Sequence, residues 1–224
     1  MDVAALALSA KLASLTTLTL LVLGVPLAWW LATSRFRGRF LVEAVVALPL
    51  VLPPTVLGFY LLVGLGPRSP AGRAFEALAG HPFPFSFTGL LVASALYSLP
   101  FAVQPFVAAL AGVDRHLVEA SHTLGVSRVC TFLRVSLPLA WPGILAGAVL
   151  TFAHTLGEFG VVLMVGGNIP GRTRTLSVAI FDHVEALEYG AAHRTAGLLL
   201  AISFVVLAAV YALQPQRLRR WNAR

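Results

Sequence analysis

Charge is scarce in this sequence, and the scarcity sets the first limits. Only 11% of the residues are Asp, Glu, Lys or Arg, whereas 58% are hydrophobic. A soluble domain carries about 25% charged residues, so this chain lacks the polar surface to face water on all sides. Cys130 is the single cysteine, which excludes an intrachain disulfide. Lys11 is the single lysine, and it lacks the glycines of a Gly-x-x-x-x-Gly-Lys-Ser/Thr loop. Such a loop needs its lysine on the terminal phosphates, so the chain is not itself an ATP-hydrolysing motor. His-Glu-x-x-His and Gly-x-Ser-x-Gly do not occur, and His116, His122, His183 and His193 show no metal-ligand spacing. No metal, cofactor or hydrolytic centre is therefore expected in this chain. Internal repeats and low-complexity segments are missing as well.

What is present is apolar length. A bilayer core of roughly 30 Å takes about 20 apolar helical residues. Five runs meet that measure, at 12–33, 44–65, 86–112, 137–165 and 195–213. The expected fold is all-α, a single polytopic transmembrane helix bundle over 1–224. The first run is too long for a signal-peptide core and is followed by Arg35, Arg37 and Arg39, so it reads as a retained anchor. Positive charge then orients the bundle. Ten arginines fall on one side, in the segments around Arg35–Arg39, Arg115–Arg134 and Arg217–Arg224, against six basic residues on the other. The richer side is expected to be cytoplasmic, which puts the N-terminus outside and the C-terminus inside. The net charge of +7 is thereby a topological signal and implies no nucleic acid.

Two connecting segments hold structure. In 113–136 the pattern predicts a helix over 114–124 with Leu117, Ala120 and Leu124 on its apolar side, then a stop at Gly125. Ser127 is placed to cap a second short helix carrying Val129, Phe132 and Leu133. Pro138 is expected at the start of the next span, where its missing N–H matters little. In 166–194, Asn168-Ile169-Pro170-Gly171 marks a turn, and Leu176, Ala179, Ile180, His183 and Leu187 have the spacing of a short helix at the outer surface.

The inner segment reads Glu119-Ala120-Ser121, three residues, Gly125, nine residues, Val135, one residue, Leu137-Pro138. This resembles the EAA motif of ABC-importer permeases, with Ser121 in place of the second alanine and Val135 in place of isoleucine. An ordinary amphipathic loop at the membrane surface is the plainer reading, and the fixed spacing argues against it. The resemblance implies a coupling helix that docks on a separate ATPase, with Glu119 facing a partner charge or helix end, Gly125 making the turn, and Ala120, Leu137 and Pro138 completing the pattern. ATP and magnesium would then belong to that partner.

Three prolines within six residues, Pro49, Pro53 and Pro54, are expected to break or strongly kink the second span. Irregular backbone at membrane depth is tolerated only within protein or beside a watery cavity, so this stretch is placed on the pore side. Pro100 and Pro105 point the same way more weakly. Span four closes on His154, Gly157, Glu158 and Gly160. A carboxylate in an apolar span is a functional candidate by default. Because a carboxylate suits an anionic ligand poorly, Glu158 is expected to be a structural or gate element, paired with His154 at i,i+4 or with a backbone N–H.

Leu-Pro-Leu-Val-Leu-Pro-Pro, Leu-Gly-Glu-Phe-Gly, and the run from Asn168 through Arg172 and Arg174 to Thr175 together resemble the molybdate-importer permeases. Sulfate permeases share part of the pattern. The resemblance covers about 8–214 and implies a type I ABC importer architecture, a homodimer, two ATPase subunits, and an external binding protein delivering molybdate or tungstate. Arg172 and Arg174 either draw an oxyanion to the outer mouth, pair with acids on the binding protein, or are simply solvated. A membrane enzyme remains the rival of a different class, but only His154 and Glu158 are ionisable within the later spans, too few for a catalytic cluster.

Overall fold

The computed structural model describes residues 2–213, so Arg217, Arg219, Arg220 and Arg224, which entered the charge argument, lie outside the described residues. Within them the chain is helical throughout, from α1 (Val3–Thr33) to α11 (Tyr189–Leu213), with no strand among the described residues. Among the described residues four helices are long and apolar enough to cross a membrane, and a fifth span is reached where the bent pair is counted as one.

The centre is formed by α1, α5 (Phe87–Ala111) and α8 (Leu137–Leu156). Lipid supplies no hydrophobic force between helices, so close packing has to hold them together, and small residues permit it. Ala13, Ala28, Ala93 and Ala102 are buried to 1% or less. At Gly147 a Cβ would lie 2.8 Å from the Phe106 ring and 3.0 Å from Pro105, so α8 needs a glycine to approach α5. Pro105 thus packs against a neighbouring helix, and α5 runs unbroken through both its prolines. Apolar residues on the outer faces remain uncovered, among them Leu18, Val22, Leu200 and Phe204. Such surface is tolerable against acyl chains and intolerable in water.

The second span is broken as expected. α2 (Arg39–Val51) and α3 (Pro54–Leu65) meet at 114°. Leu52 and Pro53 both have ψ of 136°. Each precedes a proline, whose ring pushes the preceding residue out of the α region. Pro54 then starts α3 at a position where no N–H is needed. Pro49 does not break α2 and lies buried inside it.

Several boundaries differ from the sequence reading. α1 begins nine residues before the expected span, and α11 begins at Tyr189 rather than at 195. α4 (Pro70–Ala79), capped by Ser69, was read only as a connection. The fourth span ends at Leu156, because Gly157 to Phe159 leave helical geometry before α9 (Gly160–Gly166) resumes it. α10 (Leu176–Glu185) is the short helix expected after the Asn168–Gly171 turn, and it stops two residues short of Leu187.

Candidate functional site

Two groups of residues stand out, at opposite ends of α8. The first is the knuckle between α5 and α8. Asp114 caps α6 (Arg115–Thr123) by accepting from the His116 N–H at 2.9 Å. Gly125 has φ +78°, and its N–H reaches the His122 carbonyl at 2.9 Å while that of Val126 reaches Ser121 at 3.1 Å. This double closure is the Schellman stop, and it needs a left-handed residue at the position of Gly125. Ser127 caps α7 (Arg128–Thr131) through Cys130 N–H. The Ser121 hydroxyl lies 2.9 Å from that of Thr131, joining the two short helices. The serine that departs from the Glu-Ala-Ala pattern therefore ties the knuckle together. Glu119 and Ala120 are exposed, and so are Leu117, Leu124, Val129 and Leu133.

Pro138 does not begin a helix. α7, a π-helical turn (Phe132–Ser136) and α8 form one continuous helix, Arg128–Leu156. Leu137 donates to Phe132 O, five residues back. The wider turn carries the chain through Pro138, whose missing N–H would interrupt an ordinary α ladder. Leu137 packs against the central core, which ties the knuckle to the spans.

The second group surrounds the two helix breaks. Gly160 lies against Pro54, where a Cβ would come within 2.7 Å of the proline Cβ. Gly58 lies equally tightly against Met164, at 2.6 Å. Through these glycines α3 rests on α9, so the broken second span sits on the broken end of the fourth. Gly157 is exposed beside Glu158, which is only 4% exposed. Both carboxyl oxygens of Glu158 lack a hydrogen-bond partner, and so does the hydroxyl of neighbouring Ser94.

The expected pairing of His154 with Glu158 does not form. The helix ends between them, which removes the i,i+4 register. His154 Nδ1 instead lies 3.0 Å from Ser98 Oγ, and its ring stacks on Phe101 with centroids 3.8 Å apart. Nor does Glu158 accept a backbone N–H. Its own carbonyl accepts from the Ser177 hydroxyl, which fixes α10 to the break. Ser94, Ser98, Tyr97 and Phe101 were missed in the sequence because nothing in α5 alone marks them as neighbours of a later helix.

In the loop between α9 and α10, Asn168 Nδ2 donates to Asp182 at 2.9 Å, and Arg174 pairs with the same carboxylate and more distantly with Asp2 at 3.9 Å. Both are braces of the loop on α10. Arg172 is exposed and points elsewhere, into a separate cavity.

Comparison with known proteins decides the family. The model of the binding-protein-dependent transport system inner membrane component matches residues 24–220. The chain belongs to this family. This permease is 56% identical to the molybdenum transport system permease protein ModB of Azotobacter vinelandii, over 94% of this chain and 93% of that one. It is 42% identical to the Escherichia coli ModB protein, over 81% and 79% of the two chains. A sulfate transport system permease protein, CysT of Salmonella typhimurium, stands further off at 35%, over 89% and 72%. In fold, the permease overlays a chain of a bacterial ABC transporter that imports the acidic polysaccharide alginate, with a TM-score of 0.77, 17% identity, and 96% and 79% of the chains covered. The permease is thus an inner membrane component of an ABC importer. The family match spans the knuckle and both helix breaks.

Proposed function

We propose that this permease moves molybdate, with tungstate as its chemical twin, into the cell as the membrane half of an ATP-driven importer. The observation that carries the substrate is the ranking of relatives, in which the two ModB proteins, at 56% and 42% identity, stand above the sulfate permease at 35%. Two copies enclose a pathway on their two-fold axis. The α6–α7 knuckle is the EAA element, and Glu119, Ala120 and Gly125, supported by Leu137 and Pro138, seat it in a cleft of a separate ATPase. ATP and magnesium are held by that partner. The exposed apolar residues of the knuckle support this, since Leu117, Leu124, Val129 and Leu133 need cover outside the membrane.

The N-terminus lies outside and the knuckle inside. An external binding protein docks on the end bearing α10, close to Asn168 and Arg174. ATP-driven closure of the partners pushes the knuckle, and the continuous helix carries the displacement to Gly157. There Pro53, Pro54, Gly160 and Glu158 form the joint at which the path opens and closes, while Pro49 and His154 pack behind it.

The test is uptake into vesicles holding the permease, its ATPase and its binding protein, with ATP inside. Labelled molybdate is expected to accumulate at least about tenfold above labelled sulfate. Preference for sulfate would replace the substrate, and accumulation without the ATPase would overturn the coupling.

A further inference from the structure

The bundle end remote from the knuckle holds two cavities of opposite character. α5 runs directly into the knuckle, so its first residues, Phe87 and Thr88, mark that remote end. The smaller cavity, about 250 Å³, is lined by Asp2, Arg174, His183 and Arg194. One of its cations, Arg174, is already paired with Asp2 and Asp182. The larger, about 600 Å³, is lined by Lys11, His81, Ser86, Thr88, Gly171 and Arg172, beside a short apolar strip of α1. No carboxylate lines it. Among the described residues neither Lys11 nor Arg172 has an acidic group within 4.0 Å.

The cavity is held open by specific contacts. The Lys11 ammonium rests 4.6 Å from the centroid of Phe87, which keeps it at the wall. His81 is held by Pro82 O at 3.0 Å, and its Nε2 lies 3.5 Å from the Thr88 hydroxyl. Arg172 is carried by a compact loop in which the N–H groups of Arg172, Thr173 and Arg174 all turn towards Ile169 O.

Depth identifies the surroundings. Counting about 20 residues of hydrocarbon-spanning helix back from Thr33 reaches Ser14, so Lys11 stands about 5 Å beyond the apolar core, at the level of lipid headgroups. Two cations without counter-ions, a hydroxyl from Thr88 on the same wall and an apolar strip alongside suit one chemistry.

We infer that this cavity binds a phosphate-type tetrahedral oxyanion, gripped between Lys11 and Arg172. Such a group reaches it from an anionic phospholipid headgroup or as a free ion. The site is independent of which cargo the permease carries.

Lys11 is the only lysine, which gives a direct readout. The full-length permease with its ATPase is placed in phosphatidylcholine nanodiscs, with or without phosphatidylglycerol, and the acylation rate of Lys11 is followed by mass spectrometry. Inorganic phosphate and molybdate are each added to the phosphatidylcholine discs. An occupied site is expected to slow acylation about tenfold, and Arg172→Ala to remove about fivefold of that protection, the share of one cation beside an anionic headgroup. Protection by phosphatidylglycerol alone assigns a lipid headgroup, whereas protection by the added ions assigns a soluble oxyanion. Arg172→Lys, which keeps the charge, is expected to keep the protection. Equal acylation of Lys11 in every condition, or equal protection in Arg172→Ala, overturns the site.

Discussion

Glu158 is a carboxyl group shielded from water, with only the Ser94 hydroxyl beside it and no well-formed hydrogen bond to either oxygen. Burying a polar group without a partner costs about 1–3 kcal/mol by mutational measures, and more when the group is charged. The surrounding packing has to impose that penalty, and the penalty falls if the joint rearranges and gives the carboxyl a partner. Glu158→Gln keeps the shape and removes the acid. It is expected to assemble and melt like the parent, yet to lower ATP-driven uptake roughly tenfold, a barrier increase of about 1.4 kcal/mol. The ratio of molybdate to sulfate uptake in vesicles should stay unchanged, and a changed ratio with intact turnover contradicts this role. Glu158 itself was legible in the sequence, as a lone acid in an apolar run. Its surroundings were not, because Gly157 ends the helix and Ser94 and Ser98 come from a helix about sixty residues earlier.

At the scale of elements, two glycines bring α3 and α9 together, and their effect can be separated from glycine flexibility. Gly160→Ala drives a methyl group into the Pro54 ring, which is fixed, whereas Gly64→Ala meets nothing within 4 Å. The first is expected to destabilise by about 1–3 kcal/mol and to lower the melting temperature of the solubilised protein, the second to leave it unchanged. Elements defined by local chemistry were readable: the cap at Ser127, the stop at Gly125, and the break at Pro53 and Pro54 each depend on neighbours within a few residues. Elements that depend on distant partners were not. α4 has only Ser69 and Pro70 to announce it and too little apolar length to stand out as a span. The π-helical turn leaves no mark in the apolar pattern, and so Pro138 looked like a beginning when it lies within a longer helix.

For the whole molecule, the proposed orientation rests on arginine asymmetry, and the lone cysteine allows it to be measured. Cys130 lies partly exposed in α7, within the knuckle. A membrane-impermeant thiol reagent is expected to label it in inverted vesicles and to leave it unmodified in sealed right-side-out ones. Labelling with the opposite sidedness would reverse the topology while leaving the bundle intact. The helix from Arg128 to Leu156 has 29 residues and is about 43 Å long, yet it is not a uniform screw. The π-helical turn contains one residue more than an α-helix would use, and each residue advances the azimuth by about 100°. Everything from Leu137 onward is therefore rotated about its axis relative to the knuckle by that single residue. It fixes the phase between the knuckle and the stripe of α8 that faces the joint, as a keyway fixes a gear on its shaft.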